Sequence, residues 1–399
     1  MKFSDAALSA APQSDHSRKK TLAAACLAHA THDGLSDLVY VFLPVWKDRF
    51  ALSFTVLSLL RSAYSLTLAV LQVPAAALAM KMARPQQLLI GATLLTGSGW
   101  LLGGLADSVV LLGLALVLSG IGASTQHPIA SAMVSRAYGR EAKKPLGIYN
   151  FAGDLGKSLL PAGAAVLLGY LSYKSTVALY AIVSIASALL MWALFRSSEN
   201  VGAAAAKHKP GDLPGQANPP AFYALLATGV LDSAVRMGFL TFLPFIVRAH
   251  GGTLAQTGLA LTLVFIGGAV GKFACGWLSE SLGMIRTVWV TELGTAALIG
   301  VVLWAPLGLA LFALPLLGAM LNGTSSVFYG AVADVVDSHK LERAFAIFYT
   351  GTIGSGALAP VLYGVIGDHL GVHFVTVVVA LTAVLTLVPV MVFASRVRE

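Results

Sequence analysis

The chain has 399 residues, 57% hydrophobic and 11% charged, with a formal net charge of +8 and a mean hydropathy of +0.80. Soluble domains carry roughly 25% charged residues, so this composition excludes an ordinary water-soluble fold and points to an all-α polytopic membrane protein. The excess positive charge sits on alternate loops and not on a face interleaved with aromatics, which argues against a nucleic-acid partner and for the lipid bilayer.

Apolar stretches of the length that spans a bilayer, about 17–25 residues, recur along the chain. Residues 1–20 are polar and read as a cytoplasmic tail. Twelve spans are expected, at 22–46, 53–80, 86–106, 109–134, 145–169, 174–196, 220–248, 254–280, 286–304, 308–335, 343–367 and 371–394. They divide into a six-helix half at 21–196 and another at 220–395. Between the halves, 197–219 is rich in Ala, Gly and Pro and reads as a cytoplasmic linker, and 396–399 form a closing tail. Lys and Arg gather at Arg18–Lys20, Lys81, Arg84, Arg136–Lys144, Arg196–Lys209, Arg286, Lys340, Arg343 and Arg396, whereas the opposite loops hold only Lys47, Arg49, Lys174 and Arg248. That asymmetry places both termini in the cytoplasm of a multi-pass protein of the inner (plasma) membrane. The basic Arg18-Lys19-Lys20 before an apolar run imitates a secretory signal. The run resumes at Leu38–Trp46 and has an internal counterpart, so it is assigned to span 1. Cys26 and Cys275 fall inside spans, without disulfide or metal spacing.

The two halves resemble each other. Phe42-Leu43-Pro44 recurs as Phe242-Leu243-Pro244, Gly122-Ala123-Ser124 as Gly323-Thr324-Ser325, and Gly153 as Gly354. Repeated halves with a site between them are the logic of many secondary transporters.

Span 1 carries ionisable residues at membrane depth, where they face a protein interior or a watery cavity. At about 100° per residue, His29, Asp33, Asp37 and Tyr40 share one stripe. A carboxyl there can exchange a proton with cavity water, and histidine titrates near physiological pH. Asp33, Asp37 and His29 are therefore the proton-coupling candidates, with His32 pointing about 100° away. Other membrane-depth charges are Arg61, Asp154, Lys157, Asp232, Arg236 and Lys272. Asp154–Lys157 and Asp232–Arg236 have the spacing to pair within their own helices. Arg61, Lys157 and Arg236 could equally hold a carboxylate or phosphonate of a substrate. His127, before a bend expected at Pro128, and the neutral Tyr40, Tyr64, Tyr149, Asn150 and Tyr349 complete the candidate wall. Glu292 in span 9 is assigned to structure.

The layout resembles the major facilitator superfamily over essentially the whole chain. Gly276-Trp277-Leu278-Ser279-Glu280-Ser281-Leu282-Gly283 resembles its cytoplasmic loop signature, whereas the equivalent Ala76–Arg84 lacks the acid. The resemblance implies a gate at Gly276, Glu280, Gly283, Arg286, Asp334 and Arg343, with Asp337 beside it. It also implies that spans 1, 2, 4, 5 and 7 line the cavity and that the protein works as a monomer. Within the superfamily, the first half is similar to the fosmidomycin-resistance group of exporters. The carrying residues are His29-Ala-Thr-His-Asp33, Phe50–Phe54, Leu71-Gln72 with Pro74, Gly120–Pro128, and Gly153, Gly156, Ser158 and Pro161. That likeness implies proton-driven export. Asp37, Arg61, Asp154 and Lys157 depart from the group's pattern and point to a changed substrate.

The expected function is therefore proton-coupled movement of a small polar, anionic organic molecule by alternating access, with export favoured over import. A lipophilic drug/proton antiporter, a divalent-metal transporter using His29, His32, Asp33 and Asp37, and a non-transporting receptor are the alternatives. Arg61 and Lys157 would repel a metal, so no metal site and no cofactor are assigned. No enzyme motif occurs in a credible context. Asp33→Asn is expected to abolish proton-coupled flux in proteoliposomes while leaving the protein folded; normal pH-dependent flux would refute the assignment.

Overall fold

Each apolar stretch becomes a helix because the bilayer offers no other partner for its backbone N–H and C=O groups. A computed structural model describes residues 14–196, 218–332, 334–336 and 341–397. The first half comprises α1 (Asp15–Phe50), α2 (Phe54–Lys81), α3 (Pro85–Leu105), α4 (Val109–Ala123), α5 (Gln126–Tyr138), α6 (Lys143–Leu167) and α7 (Tyr173–Arg196). The second comprises α8 (Pro219–Ala249), α9 (Leu254–Leu282), α10 (Met284–Trp304), α11 (Leu307–Val332), α12 (Leu341–Leu385) and α13 (Leu387–Val397).

Local chemistry sets the ends. Ser14, Ser53, Ser108 and Asn218 cap their helices through side-chain oxygens, and Thr253 with Gln256 forms a reciprocal capping box. The cap at Ser14 starts α1 at Asp15, so residues 15–20 are helical; residues 1–13 and 197–217, on which the expected tail and most of the linker fall, lie outside the described residues. Expected span 4 is broken into α4 and α5 at Ser124 and Thr125. Pro128 accounts for the break, since a proline ring clashes with the carbonyl four residues earlier, here Ser124. Conversely, α12 runs through two expected spans, bending only at Gly371, whose φ of 82° suits glycine.

By length and apolarity, nine stretches among the described residues can cross a bilayer, the last of them, Arg343–Val397, being long enough to cross twice. The two further crossings are α1 and α6, which are not among the nine and which carry Asp33, Asp37, Asp154 and Lys157. The result is a twelve-crossing, all-helical membrane protein built as two halves.

Within each half, backbones touch where side chains vanish. A Cβ on Gly156 of α6 would lie 2.0 Å from the Ala30 carbonyl oxygen of α1, and one on Gly267 of α9 would lie 1.9 Å from the Pro315 oxygen of α11. Between the halves, α2 meets α12, α6 meets α9 and α1 meets α8. On the face opposite the termini, Arg248 donates to both oxygens of Asp48 at 2.9 and 2.7 Å. There too, Asp368 accepts from the Phe54 and Thr55 backbone N–H groups (2.6 and 3.0 Å) and from the Thr55 hydroxyl (2.6 Å). Deeper in, Arg61 donates to the Gly356 carbonyl at 3.0 Å and Ser62 to that of Ala357. These contacts seal the far side, and the central cavity lies on the termini side of them.

Burial pushes the Asp368 carboxyl up, but the bonds from Thr55 and Phe54 outweigh it and hold it below its ordinary value of 3.8. A depressed value in the sealed state means that Asp368 favours closure above pH 3.8 and loses this effect as pH falls through the lowered value. Spin-label distances between the outer ends of α2 and α12 should be longer in Asp368→Asn than in wild type at neutral pH. They should converge in acid; traces that stay apart would refute the role.

Candidate functional site

Two charged clusters flank a cavity between the halves. In the first half, the α1–α6 crossing brings Asp33 to Lys157. Asp33 is buried; its Oδ2 lies 3.1 Å from Lys157 Nζ and 3.2 Å from His29 Nε2, and its Oδ1 lies 3.5 Å from His127 Nε2. The His29 ring stacks on Tyr149 with centroids 4.1 Å apart, and its Nδ1 donates to the Tyr149 carbonyl at 2.8 Å. Both ring nitrogens of His29 thus face oxygen acceptors. A neutral imidazole has one N–H, so the His29–Asp33 contact holds one further proton, on the ring or on the carboxyl. Gly153 permits this arrangement: a Cβ there would lie 2.5 Å from His29 Nε2.

His29, Asp33 and His127 present ligand atoms within 4.8 Å of one another, a set able to hold a metal ion. It differs from the metal set expected from sequence. His32 is buried on another side of α1 with its Nε2 unpartnered, and Asp37 lies one turn away. The Lys157 ammonium, 3.1 Å from the shared carboxylate, competes with any cation there.

The cavity itself, of ≈ 250 Å³, is lined by Asp37, Tyr40, Arg61, Tyr64, Asp232 and Arg236 together with apolar side chains such as Phe328 and Phe348. At about 30 Å³ per water it has room for roughly eight waters, the size of a small organic molecule. The Tyr64 hydroxyl bonds that of Ser36 at 2.5 Å. Asp37 is half-buried on the wall, and among the described residues no hydrogen bond or ion pair engages it. Arg61 is buried, yet no described carboxylate lies within 4 Å of it. Its donors go to the Tyr40 hydroxyl (2.8 Å), the Gly356 carbonyl (3.0 Å) and the Met237 sulfur (2.9 Å), all neutral.

In the second half, Arg236 donates to Asp232 Oδ2, as the spacing predicts, and its Nε to the Leu321 carbonyl at 3.1 Å. Thr324 donates to Asp232 Oδ1 at 2.5 Å. Glu292, assigned to structure from sequence, is buried in α10.

Other pairings depart from expectation. Asp154 does not close on Lys157; both its oxygens accept from Lys272 of the other half, at 2.7 and 3.0 Å. Lys157 is drawn to Asp33 because the helix crossing puts it there. Asn150, one residue past Tyr149, is exposed, as is Tyr349. At the expected gate, Gly283 ends α9 with φ 81°, and a Cβ on Gly276 would meet nothing. Among the described residues no ion pair joins Glu280, Arg286, Asp334 or Arg343; Asp337 lies outside them.

The sequence matches the family description Major Facilitator Superfamily over residues 25–231 and 225–399. The chain belongs to the major facilitator superfamily. Among superfamily relatives, it is 25% identical over 369 residues to the fosmidomycin resistance protein of Escherichia coli (strain K12), covering 89% of this chain and 88% of that protein. It is 23% identical over 376 residues to the uncharacterized MFS-type transporter YfnC of Bacillus subtilis (strain 168), covering 90% and 89%. A bacterial homologue of the human lysosomal transporter Spinster has been solved in inward-facing unoccupied and occupied conformations. Each superposes with a TM-score of 0.79 over 96% of this chain and 98% of the other, at 16% identity, a likeness of fold.

Because the site depends on the α1–α6 crossing, Gly156→Ala should force the helices apart and cost about 1–3 kcal/mol, read as a lower melting temperature in detergent. Gly354→Ala, where nothing lies within 4 Å of the new Cβ, should melt no lower than wild type. Equal losses in the two variants would refute the argument.

Proposed function

We propose that this chain is a proton-coupled secondary transporter that moves a small polar organic anion across the inner membrane by alternating access, as a monomer with both termini cytoplasmic. The observation that carries the reading is Arg61. A guanidinium on the cavity wall with only neutral partners is a costly buried charge, and an anionic substrate entering the cavity supplies the missing counter-charge. The planar fork suits a carboxylate or phosphonate.

Proton coupling rests on the first-half cluster. The His29–Asp33 contact holds a proton by its hydrogen-bond geometry, and Asp37, unpaired on the wall one turn away, is open to exchange with cavity water. Rocking of the halves exposes these groups to each side in turn. With the far side sealed, the conformation corresponds to an inward-facing one. Export is favoured by the likeness to a relative named for fosmidomycin resistance.

A second reading, a lipophilic drug/proton antiporter, is favoured by the aromatic lining at Phe328 and Phe348. Proteoliposomes loaded with a pH dye and offered phosphonates, small carboxylates, amino acids and lipophilic drugs separate the two. Flux with an anion supports the proposal, and flux with lipophilic drugs alone supports the second reading. Arg61→Gln should raise KM for the anion about 10–100-fold, the equivalent of a charged hydrogen bond of roughly 1.5–3 kcal/mol. Asp37→Asn should lose net proton movement yet retain substrate exchange; an unchanged KM in the first variant or intact proton movement in the second would overturn these roles.

A further inference from the structure

The short connection from α2 to α3, on the face that carries the termini, holds two cations that the transport reading leaves unused. Lys81 and Arg84 are exposed, and among the described residues no carboxylate pairs with either. The second-half counterpart, 276–286, contains both Glu280 and Arg286 and is balanced. The first-half stretch from Ala76 to Arg84 has no acid, so its positive charge is uncompensated.

Beside this connection an apolar groove of ≈ 540 Å³ opens sideways into the membrane. α2 supplies Leu71, Pro74 and Leu78, α3 supplies Gly91 and Leu95, and the end of α4 supplies Ile121. Pro74, Leu78, Gly91 and Ile121 are exposed, and the groove shares no lining residue with the central cavity. Its inner end lies at the α4–α5 break, at Ser124 and Thr125. Its outer end includes Met82, which stands between Lys81 and Arg84 in the chain. The depth is that of one leaflet. Leu71 to Met82 is a rise of about 16 Å at 1.5 Å per residue, and half of a hydrocarbon core about 30 Å thick is about 15 Å.

An acyl chain is flexible enough to fill a slot of this depth and gain dispersion contacts along it. Hydrocarbon contact alone selects no lipid, because lipid tails are as apolar as the side chains they touch. Selection comes from the mouth, where paired cations at the ends of membrane helices suit an anionic headgroup. The Arg84 guanidinium can fork onto two phosphate oxygens, and Lys81 adds a point charge. We propose that the groove between α2, α3 and α4 binds an anionic phospholipid of the termini-side leaflet, its acyl chain in the groove and its headgroup on Lys81 and Arg84. This site is separate from the transport cavity and stands whatever that cavity carries.

Native mass spectrometry tests it, on delipidated protein in detergent titrated with palmitoyl-oleoyl phosphatidylglycerol or the matching phosphatidylcholine. The anionic lipid should fill one site at a concentration about 25-fold lower, roughly fivefold for each cation. This wild-type comparison needs no substitution. Lys81→Gln combined with Arg84→Gln should abolish the preference. Gly91→Leu should weaken both lipids about tenfold or more and keep the preference, because a Cβ there meets nothing within 4 Å and the longer side chain fills the groove. Equal occupancy by the two lipids in wild type would overturn the proposal. So would a preference that survives loss of both cations, or phosphatidylglycerol binding untouched by Gly91→Leu. Competition by sn-glycerol 3-phosphate as strong as that of the whole lipid would make this a soluble-phosphate site, and a dimer that Gly91→Leu dissociates would make it an interface between copies; either result refutes the lipid site.

Discussion

The close crossing of α1 on α6 is the contact on which the first half's chemistry depends. With Gly156 against the Ala30 carbonyl, and Gly34 beside it, the two backbones touch, and Asp33 and Lys157 fall within 3.1 Å. Held apart by larger side chains, both would be charges stranded in a medium that penalises them heavily. Once Lys157 is committed to Asp33, Asp154 must find its cation elsewhere, and it finds Lys272 on α9. Pairings thus run from α1 through α6 into the opposite half, and one helix crossing fixes the electrostatics of three helices.

The halves repeat a scaffold but not its chemistry. Phe42-Leu43-Pro44 and Phe242-Leu243-Pro244 are both buried, and each half contains glycines pressed against a neighbouring backbone. The charges differ. The first half sets imidazoles and an amine around an aspartate, while the second sets a guanidinium and a hydroxyl around one. Packing constrains shape, and many polar residue sets satisfy the same shape, so the repeat persists where shape matters and diverges where charge does.

The crossings and their division into halves were legible in the sequence because hydropathy and loop charge act through the bilayer, which every residue feels regardless of its neighbours. The residues of the site were largely legible too, since a charge at membrane depth stands out in an apolar run. Their partners were not. Spacing favoured Asp154–Lys157, whereas Asp154 pairs with Lys272 and Lys157 with Asp33, because pairing across helices depends on crossing points that no single-helix periodicity contains. Arg61 was read from sequence as a candidate substrate contact, and the neutral character of its hydrogen-bond partners emerges only in three dimensions.

Gly371 has a mechanical implication. A single non-helical residue joins the last two crossings, so no slack separates 341–370 from 372–385 and the two move as one lever. At one end of that lever Asp368 grips the start of α2. Near the other, Asn218, the residue that opens α8, holds the Arg396 carbonyl through its side chain and the Val335 carbonyl through its backbone N–H. Tilting at the far face is therefore felt where the chain enters its second half, through the length of α12 beyond Gly371 and then α13. A load on Asp368 is by this geometry passed through α12 and α13 to the residue that opens α8.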